Sequence, residues 1–311
     1  MSPSGRTFRE ARCVWAANAA LGEAPLWMAA EDALYWVDII DGRVLRYNVE
    51  SGRRETCTMP EAVSALAPMA DGRLLCTSRR AIHAFDTRSG RLAPLAHPDF
   101  PAHDIRINDG CAHTDGAFWF GTMDLGERAA VGDFYRLSPD GACERIPAGF
   151  VITNGPAFSP DGGFGYFVDS VGRRILRAPL ENGLLAAAPR QFAALAAEDG
   201  CPDGLAVDAE GGVWCAHWGV GRVTRFDAGG RISDTVRLPV SNVTKCAFGG
   251  RRLDRLFVTT ARKGLDDGAL AAEPLAGGLF EVEVDYPGLP PQSYRGTAAD
   301  TASHTCVFDA T

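Results

Sequence analysis

No run of apolar residues in this 311-residue chain approaches the roughly 20 needed to cross a bilayer as a helix, so no membrane span is expected. The first twelve residues are polar, carry Arg6, Arg9 and Arg12, and lack the apolar stretch of a secretory signal. Nine cysteines are scattered along the chain, odd in number and never spaced as CxxC, which argues against a zinc ribbon or a thioredoxin-like site. Several fall inside apolar runs, so buried reduced thiols and a cytoplasmic location are the expectation. HExxH, GxSxG and P-loop motifs are all missing, and with them the usual sequence marks of zincins, α/β-hydrolases and P-loop NTPases. Positive charge is short as well. Against 39 Asp and Glu stand 31 Lys and Arg, a net charge of −8 that disfavours nucleic acid as a partner and leaves room for a bound cation. No long stretch shows helical periodicity, and the Ala-rich segment 191–197 (QFAALAA) offers at most one or two turns.

What the chain has instead is repetition. Runs rich in β-branched and aromatic residues recur at 34–38 (LYWVD), 73–77 (RLLCT), 118–122 (FWFGT), 165–169 (GYFVD), 212–216 (GVWCA) and 256–260 (LFVTT). Their spacing of roughly 40 to 48 residues is the length of one four-stranded propeller blade. Turn residues follow each run and lead into a second strand, as antiparallel meanders require. Six such units without intervening helices predict an all-β, single-domain, six-bladed β-propeller with a core at about 12–296. Residues 12–16 (RCVWA) supply the expected closing strand, completing the blade that holds 256–284, because a ring must hide its edge strands. Beyond Pro287 the text is rich in Gly, Pro, Ser, Thr and Ala, and 297–311 is expected to be a loosely attached tail.

A second pattern precedes each run by roughly 10 to 13 positions: 23–26 (EAPL), 64–67 (SALA), 109–112 (DGCA), 154–157 (NGPA), 203–206 (DGLA) and 244–247 (TKCA). Equivalent positions in a closed ring lie at equal height around its axis. The phasing therefore predicts that Glu23, Ser64, Asp109, Asn154, Asp203 and Thr244 all point into one end of the central channel. Three converging carboxylates cannot all ionise without compensation. Oxygen donors of this kind suit a hard divalent ion such as Ca²⁺, Mg²⁺ or Mn²⁺, and Zn²⁺ or Fe²⁺ can enter too. On phasing alone Asp109 is as eligible a ligand as Glu23, Asn154 or Asp203. Lys245 and Arg262 read either as pocket-lining or as surface charges, and His217 reads as a structural strand histidine rather than a channel group.

The motifs 21–27 (LGEAPLW), 106–110 (RINDG), 120–123 (FGTM), 152–155 (ITNG) and 202–204 (PDG) resemble, in order, those of the senescence-marker-protein-30, gluconolactonase and luciferin-regenerating-enzyme (regucalcin-like) family. The resemblance runs from about Cys13 to Glu283. Residues 242–245 (NVTK) and 259–264 (TTARKG) are similar to its bacterial sugar-lactonase branch. It implies a six-bladed propeller with a single divalent metal that hydrolyses a sugar lactone, an aldonolactone, to the aldonic acid. It implies Glu23, Asn154 and Asp203 as metal ligands, with Asp203 also accepting the proton of the attacking water. It implies Arg106, Asn108 and Asp109 as substrate-pocket residues. One departure stands out: 124–126 read DLG where many relatives carry acidic residues that reach the substrate. A monomer or weak homo-oligomer is expected. Two rival readings stand beside it. A paraoxonase-like esterase or phosphotriesterase would want a channel histidine and a second metal, and a non-catalytic calcium-binding propeller would not need polar lead residues on every blade.

Overall fold

Six antiparallel sheets stand around one axis in a computed structural model that describes residues 7–101, 104–298 and 304–311. Blade 1 comprises Gly22–Met28, Ala33–Asp38, Arg43–Asn48 and Arg54–Thr58. Blade 2 comprises Leu66–Pro68, Leu74–Thr77, Ile82–Asp86 and Arg91–Ala96. Blade 3 runs through Ile105–Ala112, Phe118–Asp124, Gly132–Leu137 and Cys143–Phe150. Blade 4 is built on Thr153–Phe158, Phe164–Asp169, Arg174–Glu181 and Arg190–Ala194. Blade 5 is Cys201–Val207, Val213–Trp218, Arg222–Phe226 and Ile232–Arg237. Blade 6 is Val243–Gly249, Arg255–Thr260, Leu279–Glu283 and, from the other end of the chain, Arg12–Trp15. Each inner strand packs against those of the blades before and after it, and blade 6 packs on blade 1. The expected six-bladed propeller closed by an N-terminal strand is what forms, so blades 3 and 6 face each other across the channel.

The apolar runs are the second strands, sandwiched between neighbouring blades. Ala33–Asp38 and Phe118–Asp124 are buried at every position, which is why they read as continuous rather than alternating. Trp36, Trp119 and Trp214 fill the gaps between blades. Outer strands thin to an exposed pattern, as in Cys143–Phe150. The second strands of blades 1, 3 and 4 end in an aspartate that organises the turn at the Glu23 end of the channel. Asp38 accepts from the backbone N–H groups of Ala20 and Leu21 at 2.9 and 3.0 Å and pairs with Arg43. Asp124 accepts from Arg128 and Ala129 N–H at 2.9 and 3.0 Å.

The expectation of little helix holds, and that of a loose tail needs correction. The Ala-rich segment is mostly strand, since Arg190–Ala194 pairs with blade 4 and only Ala197–Asp199 makes a 3₁₀ turn. An open sheet edge and the Phe192–Tyr166 ring contact at 5.2 Å outweigh the helix propensity of alanine. A six-residue helix, Asp267–Ala272, does occur in blade 6, capped by Asp266 accepting from Ala269 N–H at 2.8 Å. The end of the chain is not loose where it is described. His304–Thr305 pairs with blade 2, Phe308–Ala310 pairs with blade 1, and Cys306 between them is buried. Residues 299–303 of that expected tail, His103 and residues 1–6 lie outside the described residues. At the far end of the channel the stretch 287–295 runs from blade 5 to blades 2 and 3. It is held by Ala209 N–H to Pro287 O, Tyr294 N–H to Pro68 O and Arg295 N–H to Gly116 O. Among the described residues no helix is long and apolar enough to cross a membrane.

Candidate functional site

Inner strands begin irregularly. The ladder register breaks between Glu23 and Leu26, Ile107 and Gly110, Asn154 and Ala157, Pro202 and Leu205, and Val243 and Lys245. Bulges of this kind re-aim side chains. Here they fall at the lead residues picked out by phasing, on every blade except the second, whose short inner strand pairs without a break.

Those six lead residues do not form an even ring. Glu23, Asn154 and Asp203 line one cavity of about 370 Å³ together with Arg106, Asn108, Glu127, Lys263 and Trp218. Ser64 is turned aside, donating to Ile107 O and paired with Thr77 Oγ1, both at 2.9 Å. Thr244 likewise donates to Gly22 O at 2.6 Å and is paired with Thr259 Oγ1 at 2.8 Å. Asp109 is fully buried and does not line the cavity. Its carboxylate accepts from Gly110 N–H at 2.7 Å and Gly155 N–H at 3.0 Å and pairs with Lys245 Nζ. Asp109 is therefore placed deeper than the substrate position expected for it.

The remaining groups are unevenly compensated. Glu23 accepts from Ala24 N–H at 2.7 Å, and burial, then the charge of Asp109, pushes its pKa up to about 7. Asp203 is held well above the usual carboxylate range by desolvation first, then by Glu23 and Asp109. Neither carboxylate has an ion-pair partner among the described residues. Asn108 Nδ2 donates to Thr153 O at 2.8 Å and to Asn154 Oδ1 at 3.1 Å, while Asn154 Nδ2 donates to Ser170 Oγ at 2.9 Å. The amide of Asn154 is thus fixed at both ends, with a lone pair of Oδ1 left over. Desolvation lowers the Arg106 guanidinium to about 10, against the charges of Glu23, Glu127 and Asp203. Among the described residues its guanidinium makes one hydrogen bond, to Ile107 O at 3.1 Å, which leaves most of its N–H groups for a ligand.

Among the described residues no three His, Cys, Asp or Glu side chains gather as a metal-binding group. The donor set here is two carboxylates and one amide oxygen. Two desolvated carboxylates side by side, without a counter-charge of their own, fit a hard divalent cation with oxygen ligands. Among the described residues no histidine lines the cavity. His217 is locked inside blade 5 between Asp199 O at 2.8 Å and Thr224 Oγ1 at 2.6 Å, as the structural reading had it. Arg262 does not line the cavity, whereas Lys245 proves to be buried. Glu127 and Lys263, which pair with each other across the mouth, were not singled out. Glu127 follows the DLG departure on a turn with φ of 54°, a conformation its identity does not signal.

Residues 21–262 match the family described as the SMP-30/Gluconolactonase/LRE-like region. The chain belongs to that family. It is 39% identical over 283 residues to the L-arabinolactonase of Azospirillum brasilense, covering 89% of this chain and 93% of the relative. It is 32% identical over 288 residues to the 6-deoxy-6-sulfogluconolactonase of Pseudomonas putida, covering 92% and 98%. Among solved structures, a calcium-binding protein, regucalcin, from Agrobacterium tumefaciens superposes with a TM-score of 0.89 at 33% identity, covering 94% of this chain and all of that one. The motifs that carry the family resemblance are the segments whose side chains meet at the cavity.

Proposed function

We propose that this protein hydrolyses a sugar lactone to the open-chain aldonic acid, with one divalent cation held by Glu23, Asn154 and Asp203. The observation that carries the reading is the pair of uncompensated carboxylates beside a fixed amide oxygen, at a cavity that also presents a free guanidinium face. Relatives named as lactonases, similar along nearly the whole chain, support the reaction class. A bound divalent ion supplies polarisation of the lactone carbonyl and a more acidic water.

The chain's own residues do the rest. Asp203, with its raised proton affinity, accepts the proton of the attacking water at its carboxylate. Arg106 offers its unused N–H groups to the negative charge that develops on the carbonyl oxygen and persists in the product carboxylate. The acyl C–O bond breaks, and the ring oxygen leaves as a hydroxyl by taking back the proton held on Asp203. Asn108 acts through Asn154, holding that amide in place, rather than by reaching the sugar. Asp109 serves the same end of the channel from beneath. Glu127 and Lys263 at the mouth meet sugar hydroxyls, and the Trp218 ring suits the apolar C–H face of the ring.

The test is a lactone panel. Protein stripped with a chelator is followed by pH-stat on five- and six-carbon aldonolactones, with single divalent metals added back. Turnover should vanish with the metal and return with it. Absence of metal-dependent turnover on every lactone would sink the proposal.

A further inference from the structure

Three carboxylates gather at this end of the channel, two at the cavity and one beneath it, and they are not treated alike. Asp109 accepts from two backbone N–H groups and is paired with the Lys245 ammonium. Glu23 receives one backbone N–H, and Asp203 has no side-chain hydrogen bond among the described residues. Lys245 belongs to blade 6 and Asp109 to blade 3, so this ion pair spans the channel between opposite blades. Only 9% of the lysine side chain and 1% of the aspartate are exposed, which keeps their attraction unscreened. The lysine stem lines a second cavity of about 180 Å³ at the far end of the channel, while its charge acts on Glu23 and Asp203 above. Room for that stem depends on Gly204. A Cβ at this position would lie 2.4 Å from Lys245 Cγ and 2.6 Å from its Cβ. The glycine beside Asp203 is thus what lets a lysine cross there.

We propose that Lys245 is a tethered cation: a positioning residue that removes Asp109 from the ligand set and limits this end of the channel to a single divalent ion. The inference rests on the reading that Glu23, Asn154 and Asp203 hold that ion. Two consequences follow from elementary electrostatics. A positive charge this close repels a divalent cation, and the carboxylate it occupies is withheld from coordination. Deleting the charge removes both effects at once.

The experiment measures Mn²⁺ binding to the intact protein by the electron paramagnetic resonance signal of the free ion. Lys245→Met, apolar and of similar reach, should bind Mn²⁺ about tenfold or more tightly than the unaltered protein. Neutralising both partners, in Asp109→Asn with Lys245→Met, should return the affinity to its starting value. Affinity unchanged or weakened in Lys245→Met, in protein whose thermal transition shows it folded, would overturn the proposal. Should that variant not fold, Asp109→Asn alone decides. It leaves the ammonium unpaired and should weaken Mn²⁺ binding about tenfold, and an unchanged affinity there would overturn the idea equally. Failure of the unaltered protein to bind Mn²⁺ or any other divalent ion would instead strike the metal reading itself, and this inference with it.

Discussion

His217 and Asp203 lie on adjacent strands of blade 5, and burial acts on them in opposite senses. Desolvation lowers His217 to about 4 from its ordinary 6.5, so the folded protein holds this imidazole neutral between two hydrogen bonds. The unfolded chain protonates it first. Its stabilising contribution is therefore complete above the unfolded value and is lost as pH falls from 6.5 toward 4. At about 1.4 kcal/mol per pKa unit, the loss should reach roughly 3 kcal/mol. Urea unfolding at a series of pH values should show this slope, and His217→Gln should flatten it. Much of the site was legible at this scale, because lead residues in phased repeats must share a height in a closed ring. Phasing says nothing, however, about hydrogen-bond partners. That is why Ser64 and Thr244 looked equivalent to Glu23, and why Asp109 could not be told from a ligand until Lys245 was found on it.

Strands and their ends carry the next layer. The segment Arg12–Trp15 was readable as the closing strand because a ring with an unpaired edge is untenable, and it pairs with Leu279–Glu283 as required. Trp15 anchors it edge-on against Trp36, with ring centroids 5.6 Å apart. Trp15→Ala should cost about 3–5 kcal/mol and lower the thermal midpoint of the whole molecule, since the ring cannot open one blade at a time. A transition in which only blade 6 melts would contradict this. What the sequence concealed at this scale were pairings made at the rim. Residues 304–310 have the composition of a tail, yet they dock because blades 1 and 2 leave outer edges for them. Composition reports what a segment can do in water, and an available sheet edge changes that outcome.

Across the whole molecule, blades 3 and 6 are joined twice over the channel, by Asp109 with Lys245 in its interior and by Glu127 with Lys263 at its mouth. The two ties differ in burial and so in consequence. The outer one, with side chains 38% and 35% exposed, is worth at most about 1 kcal/mol to stability. Lys263→Ala should leave the melting temperature nearly unchanged while raising KM for the lactone several-fold, and the reverse result would mark the pair as structural. The ring order that makes such ties possible was plain from six repeats; which loops meet over the mouth was not, since loop conformation is not encoded in the repeat. The closing strand has one more consequence, in time rather than space. Glu23 is synthesised before Lys245, and blade 6 stays incomplete until Leu279–Glu283 can meet Arg12–Trp15. The proposed cation site draws on blades 1, 4 and 5, so its full set of three oxygen donors is expected only once blade 6 has closed the ring and brought blade 1 round to blade 5.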